Sequence, residues 1–285
     1  MQFNYSLNVN CLPEDRAAVD AKLQNLILGA MNEVGGGMRI GLDYPVNPKP
    51  HWIDNPHEGL DQLFAQRRDE FAARLRSYVP LAKSLSADSS LQWKNGWFEG
   101  LDAIMVYGVI SMHRPKRFIE IGSGYSTTFA ASAKRTHSPG TRITSIDPHP
   151  RAEINALCDD VIRQSFETTD LAIFSELEKD DILFIDSSHR VFTNSDVTTL
   201  FLDVIPYLKP GVLIQVHDIF LPHDYPDSWN NRYYSEQYLL AAYLLGGHQG
   251  MELFMPVAYV MEHNLLPPEL AQVGSGGTSF WLKTT

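Results

Sequence analysis

The spacing of hydrophobic residues changes near residue 97. Before that point, an earlier helix is predicted over residues 14–29, followed by chain breakers at 35–37 and 45–50. A second helix is predicted over residues 60–78 because five apolar side chains fall close to one helical face: Leu60, Leu63, Phe64, Phe71 and Leu75. This part of the chain carries no catalytic motif. Residues 1–95 are therefore predicted to form a mainly helical N-terminal cap or extension.

From residue 97 onward, short apolar segments rich in β-branched residues alternate with amphipathic helices. The predicted strands cover 117–121, 142–146, 161–163, 182–185 and 212–216, and the predicted helices cover 103–112, 170–177, 195–208 and 233–245. This alternation is typical of a parallel sheet with helices on both faces. Residues 96–285 are expected to form one α/β domain.

The last two apolar runs break this pattern. They cover 253–260 and 279–282, and the segment between them contains Pro267-Pro268 and a glycine-rich turn. We expect only loop there, so the two runs are predicted to close the sheet as an antiparallel pair.

Charge and composition exclude several classes of partner. The net charge is −11 and the pI is about 5.3, whereas a protein that binds duplex nucleic acid normally carries a basic face. The two cysteines, Cys11 and Cys158, form no metal or disulfide motif. The N-terminus lacks the features of a signal peptide, and no apolar run approaches the ~20 residues that span a bilayer. A cytoplasmic protein without nucleic-acid or membrane partners is expected.

A glycine loop follows the first predicted strand. Gly122-Ser123-Gly124 opens a helix, where glycines let a ligand approach the backbone and free N–H groups face an anion. The third glycine of a dinucleotide site is replaced by Thr127, which disfavours NAD. Asp147 closes the second strand and can accept hydrogen bonds from both hydroxyls of a ribose. Taken singly, the loop also fits a tight structural turn, and Asp147 a turn aspartate before Pro148.

Together, Glu-x-Gly-x-Gly-x-Ser from residue 120, the acid closing strand two and Asp186 closing strand four resemble the class I S-adenosylmethionine (SAM)-dependent methyltransferases. The resemblance runs from about residue 97 to the C-terminus. It implies a Rossmann-like seven-stranded sheet of order 3-2-1-4-5-7-6 with strand 7 antiparallel. Loop 122–127 would hold the methionine part of SAM, supported by Glu120, and Asp147 would hold the ribose. The SAM-binding residues implied are Glu120, Gly122, Ser123, Gly124, Ser126, Thr127, Asp147, Ser165, Phe166 (the last two at the adenine) and Asp186.

Two carboxylates and two imidazoles follow strands four and five, as Asp186-x-x-His189 and His217-Asp218. Strand ends of an open α/β sheet face one crevice, so these groups are expected to meet near the methyl group of SAM. In one interpretation, Asp186, His217 and Asp218 bind a divalent metal that holds a substrate hydroxyl, and His189 takes its proton. In the other there is no metal, and His189 or His217 is the general base.

The metal interpretation resembles the metal-dependent O-methyltransferases of catechols and of sugars. Those enzymes usually carry Asp or Glu where this chain has His217. Magnesium prefers oxygen ligands, whereas an imidazole favours manganese, iron or zinc. The sequence thus leaves the metal, magnesium, manganese or another, open.

The predicted function is methyl transfer from SAM to a hydroxyl of a small molecule, such as a sugar or natural product, releasing S-adenosylhomocysteine (SAH). An aromatic loop after strand five is the predicted substrate wall, with Tyr225, Trp229, Tyr233 and Tyr234. Three alternatives stay open: a metal-independent N-methyltransferase, a hydroxylase resembling the cephalosporin hydroxylases, and a non-catalytic SAM-binding module. The resemblance also suggests a homodimer.

Overall fold

The computed structural model of this protein describes residues 22–23, 50–150 and 152–285. The chain divides into two compact units, Met1–Lys49 and Pro50–Thr285. In the first unit, Lys22 and Leu23 are described, and both are helical. The rest of the predicted helix over 14–29 and the breakers before Pro50 lie outside the described residues.

The second unit is built on a seven-stranded sheet of order β3-β2-β1-β4-β5-β7-β6. The five strands from β1 to β5 pair in parallel, and β7 runs antiparallel to both β5 and β6. This confirms the predicted fold class and strand order. The strands are β1 Arg117–Ile121, β2 Arg142–Ile146, β3 Asp160–Ile162, β4 Ile182–Ile185, β5 Leu213–Val216, β6 Met251–Pro256 and β7 Phe280–Thr284.

Helices cover the sheet and connect its strands. The α-helices of the second unit are α1 Glu58–Ala65, α2 Arg68–Tyr78, α3 Ala82–Ala87, α4 Gly100–His113, α5 Tyr125–His137, α6 Asp196–Thr199, α7 Glu236–Leu245, α8 Val257–Glu262 and α9 Pro268–Ala271. The helix predicted over 60–78 is two helices, because the amide of Arg67 bonds to Phe64 three residues back and tightens the chain into a turn. The predicted apolar face persists across this turn, since Leu60 and Leu75 are both fully buried.

Three other predicted helices differ from those observed. Residues Leu171–Glu176 form a 3-10 helix rather than an α-helix. The segment predicted as one helix over 195–208 runs as α6, a π turn and a 3-10 turn, because Pro206 has no amide hydrogen to continue the ladder. The helix predicted from Tyr233 begins at Glu236, since Tyr233 adopts a left-handed φ of 53°.

The antiparallel closing pair is confirmed, but the loop predicted between its strands is wrong. The run predicted as a strand over 253–260 leaves the sheet after Pro256 and continues as α8. Pro267-Pro268 then starts α9, because a proline is well tolerated in the first turn of a helix, where its missing amide hydrogen has no partner to lose.

Helix α4 is buried along nearly its whole length, from Gly100 to Ser111. A helix that is apolar all round belongs in an interior. Its one buried carboxylate, Asp102, faces His217, which follows β5. Side chains of α1 and α2 share the same core, and the predicted division near residue 95 stays a prediction. Over residues 50–150 and 152–285, no helix combines the length and the apolar character needed to cross a membrane.

Candidate active site

The carboxyl ends of β1, β2 and β4 open into a cleft of about 320 Å³, here called the first cleft. This volume lies at the lower end of the range of about 300 to 1,000 Å³ that small-molecule sites occupy. The residues that line it come mostly from strand ends and the loops after them: Trp97, Phe98, Ile121, Gly122, Ser123, Gly124, Tyr125, Ser126, Ile146, Asp147, Pro148, His149, Ser165, Phe166, Glu167, Asp186, Ser187, Ser188 and Asp196.

Glycine is required at position 122 of the loop. Its φ is 76°, and a Cβ atom there would overlap the backbone carbonyl of Asp186. The loop therefore packs directly on the end of β4. This close approach brings the glycine loop and the strand-four aspartate to the same side of the cleft.

Glu120 lies behind the loop, fully buried, and does not line the cleft. Its carboxylate accepts hydrogen bonds from the hydroxyls of Ser126 and Thr127. These two bonds connect the end of β1 to the first turn of α5, on either side of the glycine loop. Burial raises the pKa of Glu120 to about 7, although the two hydroxyl donors oppose the rise. Ser126 lines the cleft, and Thr127 does not.

Asp147 lies at the end of β2 and lines the first cleft. It accepts the amide hydrogens of Ser123 at 2.7 Å and of His149 at 2.7 Å, one on each carboxylate oxygen. Arg163 bonds to the backbone carbonyl of Asp147 at 2.9 Å and holds the turn. Each carboxylate oxygen keeps lone pairs for a further donor.

Ser165 and Phe166 close the other end of the cleft, after β3. Phe166 is nearly buried, with its ring centroid 5.7 Å from that of Phe174. Ser187, beside Asp186, has a buried hydroxyl with no hydrogen-bond partner within the described structure. A donor without a partner at the wall of a cleft is available to a ligand.

A second cleft of about 370 Å³ adjoins the first and shares Trp97 and Asp186 with it. It is lined by Gly96, Trp97, Glu99, Asp102, Asp186, His217, Asp218, Phe220, Trp229, Arg232, Tyr234, Ser275, Gly276, Gly277 and Thr278. Aromatic rings and a few polar groups are the usual lining of a site for a small organic molecule.

Two of the four residues predicted for the substrate wall, Trp229 and Tyr234, line this second cleft. Tyr225 does not, because its buried ring packs behind theirs at centroid distances of 6.4 and 5.8 Å. Tyr233 is 55% exposed and also lies outside the lining. Arg232, which was not among the predicted residues, places its guanidinium carbon 3.8 Å from the ring centroid of Trp229.

Asp186, His189, His217 and Asp218 meet where the two clefts join, and we call them the carboxylate–histidine cluster. Asp186, His217 and Asp218 each offer one donor atom within 4.8 Å of the others, so the residues predicted to bind a metal are brought together. The Nδ1 atom of His217 is 3.5 Å from Asp186 and 3.5 Å from Asp218. Its Nε2 atom faces the buried Asp102 at 3.3 Å.

His189 is 1% exposed and lines neither cleft. Its Nε2 atom is 3.2 Å from Asp186 and 3.5 Å from Asp218. Its Nδ1 atom is 2.9 Å from a carboxylate oxygen of Glu236, which is fully buried. The predicted general base is thus enclosed by three carboxylates.

These carboxylates dominate the protonation of the cluster. Burial lowers the pKa of His189, but the hydrogen bonds to Asp186 and Glu236 outweigh it and raise the pKa to about 10. Burial also lowers the pKa of His217, and the charges of Asp186 and Asp218 raise it well above its usual value. Burial raises the pKa of Asp186, yet both imidazoles hold it well below its usual range. The neighbouring carboxylates therefore favour the protonated form of both imidazoles.

The sequence analysis did not predict the carboxylates that face the outer nitrogens of the two histidines, Asp102 at His217 and Glu236 at His189. Asp102 lies at the start of an otherwise apolar helix, and a lone acid there is a signal that could have marked it. Glu236 follows the aromatic loop in sequence, but nothing local indicates that it points at a histidine 47 residues away.

Known proteins resemble this chain in part. Residues 119–219 match the family model of a methyltransferase domain. An uncharacterized protein of Archaeoglobus fulgidus is 34% identical over 111 residues, which cover 37% of this chain and 48% of that protein. The chain thus spans about half the length of this curated relative.

Two solved structures are similar to part of this chain at 15% identity. One is an O-methyltransferase from Bacillus cereus in complex with SAH, with a TM-score of 0.45 over 73% of this chain and 91% of that one. The other is an SAH-bound methyltransferase of Podospora anserina, with a TM-score of 0.42 over 86% of this chain and 100% of that one.

Proposed function

We propose that this protein is a SAM-dependent methyltransferase that transfers a methyl group to a hydroxyl of a small molecule. SAM would occupy the first cleft and the acceptor the second. The observation that carries the proposal is the junction of the two clefts at Asp186, which lines both. The match to a methyltransferase domain over residues 119–219 includes the end of β1, all of β4 and Asp186.

The residues of the first cleft fit SAM. Asp147 offers carboxylate lone pairs suited to the two ribose hydroxyls. Helix α5 begins beside the cleft at Tyr125, and the amide hydrogens of its first turn suit the carboxylate of the methionine part. Ser187 adds a buried hydroxyl without a partner.

When bound, SAM supplies a methyl group already activated by its sulfonium. The protein must then align the acceptor and receive a proton. The carboxylates of Asp186 and Asp218 line the second cleft and can accept the hydrogen of an acceptor hydroxyl. His189 lies behind both of them, so these two groups rather than His189 would meet the acceptor.

The donor set of Asp186, His217 and Asp218 fits a divalent cation. Two carboxylates and one imidazole favour manganese, iron or zinc over magnesium, which prefers oxygen ligands alone. Such an ion would make a bound hydroxyl more acidic. Asp102, which is buried and faces the outer nitrogen of His217, completes the carboxylate–histidine–metal arrangement common to metal sites.

The second cleft suits a flat or ring-shaped acceptor with several hydroxyls. Trp97, Trp229 and Tyr234 contribute aromatic rings to the wall, and Glu99 and Arg232 contribute charged groups. A sugar or a polyhydroxylated natural product has this combination of ring faces and hydroxyls.

Calorimetric titration of the chelator-treated protein with SAM and SAH tests the proposal. We expect micromolar binding of both, and binding of manganese or zinc that an Asp186→Ala variant loses. Transfer of label from methyl-labelled SAM to a panel of sugars and catechols would then identify the acceptor class. Failure to bind either SAM or SAH would overturn the proposal, and binding without any metal response would favour metal-independent transfer.

A further inference from the structure

We propose that His189 is a fourth ligand of the cation rather than the base of the reaction. The site would then hold its ion with two imidazoles and two carboxylates. This inference rests on the metal site of the proposed function, and it assigns to His189 a role different from the one its sequence position suggests.

The distances from each imidazole nitrogen to the carboxylate oxygens are close to the spacing of donor atoms around one ion. Donors bonded at ~2.1 Å lie roughly 3.0 Å apart in an octahedral site and roughly 3.4 Å apart in a tetrahedral one. The Nε2 atom of His189 is 3.2 and 3.5 Å from the oxygens of Asp186 and Asp218. The Nδ1 atom of His217 is 3.5 Å from each of the same two residues. Both imidazoles thus approach the same oxygen of Asp186, whereas His189 faces the Oδ2 atom of Asp218 and His217 faces its Oδ1 atom.

The 3.2 Å separation lies at the upper limit of an N–H···O hydrogen bond and the 3.5 Å separations exceed it, whereas such bonds most often span about 2.9 to 3.0 Å. The outer nitrogen of His189 does make such a bond, at 2.9 Å to Glu236. The imidazole is therefore bonded firmly on the side away from the clefts, and its inner nitrogen stands at ligand distance from the carboxylates.

Each histidine has its own buried carboxylate on its outer nitrogen. Glu236 serves His189, and Asp102 serves His217. An imidazole that binds a metal almost always donates its other N–H to a carboxylate, a carbonyl or water, which fixes the tautomer and the ring orientation. The two histidines share this arrangement, so the reason for treating His217 as a ligand applies equally to His189.

The backbone of His189 is also held in place. Its φ is 60°, in the left-handed region that is uncommon outside glycine. Its carbonyl oxygen accepts the amide hydrogens of Ser235 at 2.8 Å and Glu236 at 3.1 Å. The start of α7 thus fixes both the backbone and the side chain of His189, as a metal ligand requires.

His189 has no access to an acceptor, since it is 1% exposed and lines neither cleft. A general base must come within hydrogen-bond reach of the proton that it removes. His189 does not meet this condition.

A donor set with two imidazoles also favours some ions over others. Zinc, cobalt, iron or manganese should bind far more tightly than magnesium.

Metal binding to the full, chelator-treated chain tests the assignment without any acceptor. Zinc affinity is measured by competition with a chromogenic chelator in four proteins: wild type, His189→Ala, Glu236→Gln and His113→Ala. The last is a matched control, because His113 also pairs with a carboxylate, at 3.0 Å to Asp180, away from both clefts. We expect a loss of at least about a hundredfold in His189→Ala, about tenfold to a hundredfold in Glu236→Gln, and no change in His113→Ala.

X-ray absorption of the zinc-loaded wild type provides a readout that needs no variant. Two imidazole ligands are expected, and one in a folded His189→Ala protein. A single imidazole in the wild type, or zinc affinity unchanged in His189→Ala, would overturn the inference. Absence of metal binding in the wild type would also overturn it. Titration with SAH in parallel separates that failure from failure of the methyltransferase proposal.

Discussion

The glycine loop and the carboxylate–histidine cluster lie at the same sheet edge but are built in different ways. The loop presents its backbone to the first cleft, and its support from Glu120, Ser126 and Thr127 comes from within eight consecutive residues. The cluster is made of side chains from two strand ends. Its outer carboxylates come from distant helices: Asp102 is 115 residues from His217 along the chain.

This difference has a functional consequence. A site made of backbone depends on local geometry, so a change of conformation should damage it most. A site made of side chains depends on charge and donor number, so substitutions that keep the shape but change the charge should damage it most. The following predictions test this contrast, from the largest expected effect to the smallest.

Replacing Gly122 by Ala should have the largest effect. The added Cβ would overlap the carbonyl oxygen of Asp186, a backbone atom that cannot rotate away, at a φ of 76° that alanine rarely adopts. We expect the free energy of unfolding to fall by about 4 kcal/mol or more, with loss of SAH binding. Urea unfolding and calorimetry measure both quantities. Gly140→Ala is the control, because nothing lies within 4 Å of its added atom, and it should change stability by less than about 0.5 kcal/mol. Equal behaviour of the two variants would contradict the close approach.

The loop should also show a pH dependence that originates in Glu120. Below its ordinary pKa of 4.5 the carboxyl is protonated in both the folded and the unfolded chain, whereas its pKa in the folded protein is about 7. As the pH rises between these values, the unfolded chain releases its proton first, so stability is lost. The loss should approach about 3 kcal/mol above pH 7.

Urea unfolding of wild type and Glu120→Gln between pH 4.5 and 8 measures this loss. The variant cannot titrate there, so stability should decline less with rising pH than in the wild type. Glu178→Gln removes an exposed carboxylate and should leave the wild-type dependence nearly intact. Parallel curves for wild type and Glu120→Gln would show that folding does not shift the pKa of Glu120.

The sequence predicted the parallel part of the fold well for a physical reason. Strands β1, β2 and β4 have the bounds predicted for them, because short β-branched apolar runs between turns leave few alternatives. The predictions failed where backbone hydrogen bonds depart from the regular α-helical pattern. Helices with π and 3-10 turns look like ordinary α-helices in their spacing, as residues 195–208 illustrate.

The candidate site was predictable to the extent that it follows strand ends. Asp147, Asp186 and His217 could be placed together because parallel strands end at one edge. The enclosure of His189 by Glu236 could not be predicted, since α7 reaches the site only through tertiary packing. Tyr225 is a similar case. Its aromatic side chain indicates a place in the aromatic cluster, but the sequence does not show whether the ring lines the cleft or packs behind Trp229.

Asp186 lines both clefts, so its substitution should affect both SAH binding and metal binding. Asp186→Asn keeps the shape but removes a charge that faces His189 and His217. We expect zinc affinity to fall by about a hundredfold and SAH affinity to fall measurably as well. Asp218 lines only the second cleft, so Asp218→Asn should lower zinc affinity and spare SAH. Loss of zinc binding without any change for SAH in Asp186→Asn would separate the two clefts functionally.

The smallest effect is expected at Asp147, whose carboxylate lines the first cleft and accepts two backbone amide hydrogens. In Asp147→Asn the side chain keeps its size, but one of the two oxygens that accept the amides of Ser123 and His149 is lost. A charge-assisted hydrogen bond contributes about 1.5 kcal/mol, so SAH should bind about tenfold more weakly, with unchanged zinc affinity. Asp170→Asn is the matched control, because Asp170 also accepts an amide hydrogen at a turn, from Ala172 at 3.0 Å, outside both clefts. An equal loss of SAH affinity in both variants would mean that Asp147 acts only as a turn residue, and the ribose would then need another partner in the first cleft.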